Sequence, residues 1–191
     1  GRRLTPNVDL SPQQALWHLR IALNVAALNC RGAEGPTLIA NYGRFLTSNR
    51  TAIAASERWV IADQGRKTGT NGIAARDSLS TRLYNYFAQP PVLQRFCPIA
   101  FNISGLAAVE PTANILPFST QRLAEIDQPF VDFYAAYAQY QADFATWQAQ
   151  NPPMSTVQPA VVAPSTVNAV PQPAVQPTAQ PGVQTPPGGS R

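Results

Sequence analysis

The chain has 191 residues, which is long enough for one domain or for one domain followed by a tail. Charged residues make up only 13% of it, about half the usual share of soluble domains. No stretch approaches the roughly 18 unbroken apolar residues that a membrane-spanning helix needs, so the sequence predicts no transmembrane segment. The chain begins at Gly1 without an initiator methionine, which favours a processed product whose signal peptide has been removed.

The net charge of +4 is unevenly divided. Residues 1–100 carry twelve Arg or Lys against five acids, whereas residues 101–150 carry one Arg against five acids. A basic surface for phosphates or anionic lipid is one interpretation. The favoured one is a basic half that packs beside an acidic helix, because the cations never form a dense run. We predict no nucleic-acid partner, since the oxidising compartment that a disulfide would indicate argues against one.

The first predicted helix starts at Ser11-Pro12, with Ser as N-cap and Pro at the first helical position. It runs to about residue 31 and ends before Gly32 and Gly35-Pro36. Apolar residues cover most of its circumference, which predicts a helix at the centre of a bundle. These residues are Leu16, Trp17, Leu19, Ile21, Leu23, Val25, Ala26, Leu28 and Cys30.

Three further helical stretches follow. The first covers about residues 37–64 and has a candidate break at 47–49, where side chains compete for backbone hydrogen bonds. The glycines of GRKTGTNG, residues 65–72, predict a loop. Helices are then predicted at about 73–88 and 92–101, with Pro98 ending or kinking the second. No period-two strand pattern occurs, so the predicted fold is all-α, a bundle of four to five helices over about residues 11–150.

The last helix has the clearest periodicity. Its apolar residues fall at alternating steps of three and four, a seven-residue repeat along one seam: Leu123, Ile126, Phe130, Phe133, Tyr137, Tyr140, Phe144 and Trp147. The regular part is predicted to begin at 127–129, and the acids Glu125, Asp127, Asp132 and Asp143 lie off the seam, as on a solvated face.

Two interpretations of this seam remain open. Aromatic stripes at helical spacing usually face a core, so we predict that Phe130, Phe133 and Tyr137 pack on the first helix. A helix of twenty-odd residues reaches about 30 Å, near the width of a small domain. Tyr140, Phe144 and Trp147 are therefore the candidate surface for a partner, for a sugar-like ligand or for self-association.

Residues 151–191 contain no aromatic residue and no acid, and ten of the 19 prolines follow residue 150. This Val/Gln/Pro/Ala-rich segment cannot bury a core, which predicts a disordered tail with polyproline-II bias after a helical domain of residues 1–150. Extended at about 3.1 Å per residue, it would reach on the order of 100 Å. It is a candidate tether.

No catalytic set is evident. His18 is the only histidine and sits beside Trp17 on an apolar helix, which favours a packed side chain over a general base. The spacing of the glycines in 65–72 departs from the phosphate-binding loop pattern. Glu57 and Glu110 are the candidate acids if the protein is an enzyme, yet no carboxylate pair stands out. We predict no metal site and no cofactor.

Cys30 and Cys97 are the only cysteines. Two thiols and one distant histidine are too few for a metal site. A reactive thiolate at Cys30 is disfavoured by the dipole at a helix C-terminus. Both cysteines lie on apolar faces near helix ends, which favours a disulfide that stabilises by about 4 kcal/mol on the chain-entropy model. A disulfide in turn indicates an oxidising compartment.

The segment ALNVAALNC at residues 22–30 resembles a helix in a group of exported alphaproteobacterial proteins, notably of sphingomonads. The similarity continues in Asn41-Tyr42, in TRLYNYF at residues 81–87 and in Phe96-Cys97, and covers about residues 15–100. It implies a secretory signal, an extracytoplasmic location and paired cysteines, and it implies no activity. Within the shared motifs the candidate binding residues are Asn41, Arg82, Tyr84 and Asn85; the alternative is that they form buried hydrogen bonds between helices.

The favoured function is that of a non-enzymatic, exported protein, periplasmic or secreted, which binds an envelope protein or a cell-wall component and uses its tail as a tether. The alternative is a cell-wall or carbohydrate-acting enzyme with a single carboxylate acid. A carboxylate in a cleft beside a second polar group would favour that alternative.

Overall fold

The computed structural model describes residues 5–152. It contains six α-helices, and no strand occurs in this part of the chain. The helices are α1 (Pro12–Asn29), α2 (Gly35–Ser48), α3 (Arg50–Thr68), α4 (Gly72–Phe87), α5 (Pro90–Ala107) and α6 (Ile115–Gln150), with a 3₁₀ turn at Thr112–Asn114. The predicted all-α fold is confirmed. The helix count is six because the second predicted stretch divides at Asn49.

The helical unit ends at Pro152. Almost all of the predicted tail, 151–191, lies outside the described residues, so its disorder stays a prediction.

Helix α1 is the centre of the bundle, as its sequence predicts. It begins in a capping box, in which the Gln14 backbone N–H donates to Ser11 Oγ and the Ser11 N–H donates to Gln14 Oε1. It contacts each of the other five helices. Leu16, Leu19 and Leu23 are wholly buried.

The predicted loop at residues 65–72 is wrong for most of its length, since α3 continues to Thr68 and α4 begins at Gly72. Of the three glycines in this segment only Gly69 has a left-handed backbone, with φ of 65°, and it ends α3. A Cβ at Gly72 would overlap the carbonyl oxygen of Ile61, and one at Gly65 would lie 3.2 Å from the Cα of Gly72. Two of these glycines therefore allow α3 and α4 to approach closely.

Two prolines lie inside helices: Pro98, which was predicted to end or kink its helix, and Pro129, which was predicted to lie at the start of the regular part of the last helix. Pro98 lies within α5, and Pro129 lies within α6, which begins at Ile115 rather than near residue 127. Each proline removes one helical hydrogen bond, at a cost of about 3 kcal/mol or more. Wholly buried rings flank each site, Phe96 before Pro98 and Phe130 after Pro129. The free energy gained by burying these two rings outweighs the preference of proline against the interior of a helix.

An aromatic cluster joins α4, α5 and α6. The Phe130 ring centroid lies 4.7 Å from that of Tyr86 and 5.5 Å from those of Phe87 and Phe96. The contacts with Phe87 and Phe96 are edge-to-face, a geometry that stabilises beyond the area that the rings bury. Phe130 thus belongs to the core, and the half-buried Phe133 packs against it. That these two side chains pack on α1 stays a prediction.

The prediction that Tyr137 packs on α1 is wrong, because this side chain is exposed. The reason is length. Helix α6 has 36 residues, whereas α1 to α5 have 14 to 19, so at about 1.5 Å per residue its C-terminal half extends past its neighbours.

The predicted disulfide is confirmed: Cys30, at the C-terminal cap of α1, is bonded to Cys97 in the middle of α5. Their Cα atoms are 5.5 Å apart. The bond closes a loop that contains α2, α3 and α4 between its ends.

A buried hydrogen-bond network attaches the N-terminal segment to the bundle. Thr5 Oγ1 donates to Asp127 Oδ2 at 2.7 Å, Tyr86 donates to Asp127 Oδ1 at 2.8 Å, and Asn7 also donates to Oδ1. The prediction that Asp127 lies on a solvated face is therefore wrong. Its carboxylate is buried because three donors replace its hydration.

His18 is buried next to this network, packed inside the bundle as its sequence context predicts. Its Nδ1 lies 2.8 Å from Asn7 Oδ1 and donates to it, while Nε2 has no hydrogen-bond partner among the described residues. Burial lowers the pKa of His18 from 6.5 to about 4. The imidazole is therefore neutral at pH 7.

This depressed pKa predicts an acid-sensitive fold. Between pH about 6.5 and about 4 the unfolded chain binds a proton at His18 that the folded chain does not, so the free energy of unfolding falls as the pH falls. The limiting slope is about 1.4 kcal/mol per pH unit, and the total loss is about 3 kcal/mol. Urea unfolding of the wild type and of His18→Gln across this range measures the effect. If both proteins show the same pH dependence, His18 is not its source.

Candidate functional site

The C-terminal half of α6 presents an aromatic surface to solvent. Tyr137, Tyr140, Phe144 and Trp147 are 48%, 60%, 43% and 56% exposed. We call these four residues the aromatic ladder. Every residue from 135 to 150 is exposed, so this segment of the helix packs against nothing else in the described part of the chain. The position of Tyr140, Phe144 and Trp147 beyond the bundle agrees with their predicted place.

The rings of the ladder stack on one another along the helix. Neighbouring ring centroids from Tyr137 to Trp147 are 6.5, 5.9 and 5.9 Å apart, with interplanar angles of 26°, 13° and 14°. Phe133 continues the series toward the core, 6.4 Å from Tyr137 at an angle of 9°. The seven-residue repeat places successive rings on one face. The result is a continuous strip that starts at the core and runs outward.

The polar residues beside the ladder contribute little charge. Alanine and glutamine dominate residues 135–150, where Asp143 is the only charged side chain and accepts a hydrogen bond from Gln139 at 2.8 Å. A fully or half-exposed large ring offers on the order of 100 Å², so four of them reach the few hundred Å² that soluble monomers rarely expose in one patch. The ladder is therefore the candidate interaction surface of the described residues.

The four candidates from the shared motifs lie on two helices, α2 and α4. Asn41 on α2 is buried and donates to Ser104 Oγ on α5 at 3.3 Å, as expected of a hydrogen bond between helices. Arg82 and Asn85 are exposed on α4, and Tyr84 is half-buried against the core. A binding role for these residues stays a prediction.

The candidate acid Glu57 lines a cavity of about 430 Å³ between α1, α2 and α3. The remaining lining residues are Trp17, Arg20, Leu46, Thr47, Arg50, Ile53 and Ala54. Glu57 accepts a hydrogen bond from Arg76 of α4 and forms an ion pair with it. Glu57 is the only carboxylate that the described residues contribute to this lining, so they do not place a pair of acids here.

Sequence reasoning identified Glu57 but missed the other polar residues of this cavity. Arg20 follows Trp17 by three positions on α1, a spacing that puts both on one helix face and could have indicated their pairing. Arg50 could not be placed there, because its position depends on the break between α2 and α3. Glu110, the other candidate acid, lies after α5, partly exposed.

Between residues 5 and 152 no group of three or more His, Cys, Asp or Glu side chains could hold a metal ion. In the same part of the chain, no helix combines the length and the hydropathy required to cross a lipid bilayer.

Comparison with known proteins found no match to a family model, to a curated protein or to a solved structure.

Proposed function

We propose that this is a non-enzymatic, partner-binding protein of the cell envelope, in which the bundle holds the aromatic ladder away from its own core. The observation that carries the proposal is the exposure of four stacked rings on a helix that extends past its neighbours. Aromatic residues are enriched in the cores of protein interfaces and among the residues that dominate binding energy. An envelope protein or a cell-wall component is the proposed partner.

The proposed location, periplasmic or secreted, rests on different support. The disulfide between Cys30 and Cys97 is typical of proteins in oxidising compartments. The resemblance of residues 22–30 to exported alphaproteobacterial proteins points the same way, and membership of that group is part of the proposal. The proline-rich tail would serve as the tether.

The alternative, a cell-wall or carbohydrate-acting enzyme, has one observation in its favour: Glu57 lies in a cavity with Arg20 and Arg50. Hydrolysis of a glycosidic bond ordinarily uses two carboxylates. Since Glu57 is the single acid of that cavity and is held by Arg76, we place the enzyme second.

We predict that substitutions in the ladder weaken binding without lowering the stability of the fold. We expect that replacing Tyr140, Phe144 and Trp147 together by serine lowers retention of envelope components on the immobilised protein at least tenfold. Truncation of a residue that dominates an interface, which is often an aromatic one, costs about 2 kcal/mol or more, whereas substitutions of exposed side chains usually change stability by no more than about 0.5 kcal/mol. The melting temperature should therefore stay close to that of the wild type.

The matched control is the double variant Ile39→Ser with Ile73→Ser, which removes two exposed apolar side chains of α2 and α4, 55% and 54% exposed. It should retain what the wild type retains. Equal retention by the ladder variant would contradict the proposal. The mass in solution of wild type and ladder variant, measured over a range of concentrations, distinguishes a second copy of the chain from a foreign partner on this surface.

A further inference from the structure

The cavity beside Glu57 has an apolar floor and a basic rim. Trp17, which is 3% exposed, Leu46 and Ile53 supply the apolar surface, while Arg20 and Arg50 are the cations of the lining. Three helices build it: α1, the last turn of α2 and the first two turns of α3. At about 430 Å³ the cavity is within the range of about 300–1,000 Å³ typical of small-molecule sites.

The charges of this cavity are not balanced. Glu57 is neutralised by Arg76, which also lies 3.1 Å from Asp77. Within residues 5–152 neither Arg20 nor Arg50 forms an ion pair with a carboxylate. The cavity therefore carries a surplus of positive charge beside an apolar surface, which is complementary to an anion with an apolar body.

The Trp17 ring holds one of these cations in place. The guanidinium carbon of Arg20 lies 4.8 Å from the ring centroid, and that of Arg76 lies 5.9 Å from it. Cation–π contacts of this kind restrain an arginine side chain before a ligand arrives. A guanidinium that is already ordered loses less conformational entropy when it binds a carboxylate.

We propose that this cavity binds a small organic carboxylate with an aliphatic or aromatic body. The carboxylate pairs with Arg20 and Arg50, which offer the planar donor geometry that suits it. The apolar body lies against Trp17, Leu46 and Ile53. This site is independent of the aromatic ladder.

The experiment measures the binding of octanoate to the full chain by calorimetry. Octyltrimethylammonium, a cation with a similar apolar body, is the matched control ligand. Octanoate is expected to bind at least tenfold more tightly than the cation. Arg50→Gln should weaken octanoate binding about tenfold, because a hydrogen bond between charged groups is lost. Arg58→Gln, an exposed cation on the same helix, should change it less than twofold.

A second variant, Ala54→Phe, fills the cavity and should abolish octanoate binding; circular dichroism confirms that it remains folded. The serine variant of the ladder should bind octanoate as the wild type does, so this result is separable from the test of partner binding. The proposal is overturned if octanoate and octyltrimethylammonium bind equally. It is also overturned if Arg50→Gln binds as the wild type does, or if the ladder variant loses the binding.

Discussion

Phe130→Ala is expected to lower the free energy of unfolding by about 3–5 kcal/mol, the usual cost of removing a buried phenylalanine ring. Phe130 is wholly buried and contacts the rings of Tyr86, Phe87 and Phe96. Its loss would leave a cavity where α4, α5 and α6 meet. The measurement is urea unfolding followed by circular dichroism, with the midpoint and the slope fitted together.

The chain supplies a matched control for this substitution. Phe144 lies two seven-residue repeats after Phe130 on the same helix and the same seam, but it is 43% exposed. Phe144→Ala is therefore expected to change the free energy of unfolding by no more than about 0.5 kcal/mol. Equal effects of the two substitutions would mean that the ladder is covered in the folded protein, and the partner-binding proposal would lose its main support.

The second large effect concerns the disulfide. Replacing Cys30 and Cys97 together by serine is expected to lower the free energy of unfolding by about 4 kcal/mol, since the sequence separation is 67 residues and a long loop loses much entropy when it is closed. The disulfide stabilises the fold mainly by lowering the conformational entropy of the unfolded chain. Its removal should therefore leave the helices of the folded variant in place.

Urea unfolding of three samples measures this effect: the oxidised wild type, the wild type with dithiothreitol, and the double serine variant. The second and third should agree within about 1 kcal/mol, and both should unfold at lower urea than the first. A wild type whose unfolding midpoint does not respond to reduction would contradict the prediction.

The helical periodicities and the cysteine pairing of this protein are properties of its sequence. The capping box at Ser11, the apolar coverage of α1 and the seven-residue repeat of α6 are local or short-range patterns, and a local pattern suffices to identify a helix and its apolar face. The partner of Cys30 followed from there being one other cysteine, Cys97. The all-α fold was predictable for these reasons.

The continuation of α5 through Pro98 and of α6 through Pro129, and the role of Gly72, depend on tertiary structure. A proline or glycine has a fixed local preference, and a distant contact can outweigh it. Pro129 stays inside α6 beside the wholly buried Phe130, and Gly72 is required by the nearby carbonyl of Ile61 rather than by a turn. Such contacts between separate elements are absent from any short window of sequence.

The surface and the cavity on which the proposals rest were likewise decided by the tertiary structure. Phe130 and Phe144 occupy equivalent positions of one repeat, and only the lengths of the neighbouring helices make one of them core and the other surface. The cavity combines Arg20 of α1 with Arg50 of α3, which come together because the chain turns at Asn49 and packs α3 against α1. The burial of a side chain and its distance from other helices depend on how the helices pack, so they cannot be derived from the periodicity of a single helix.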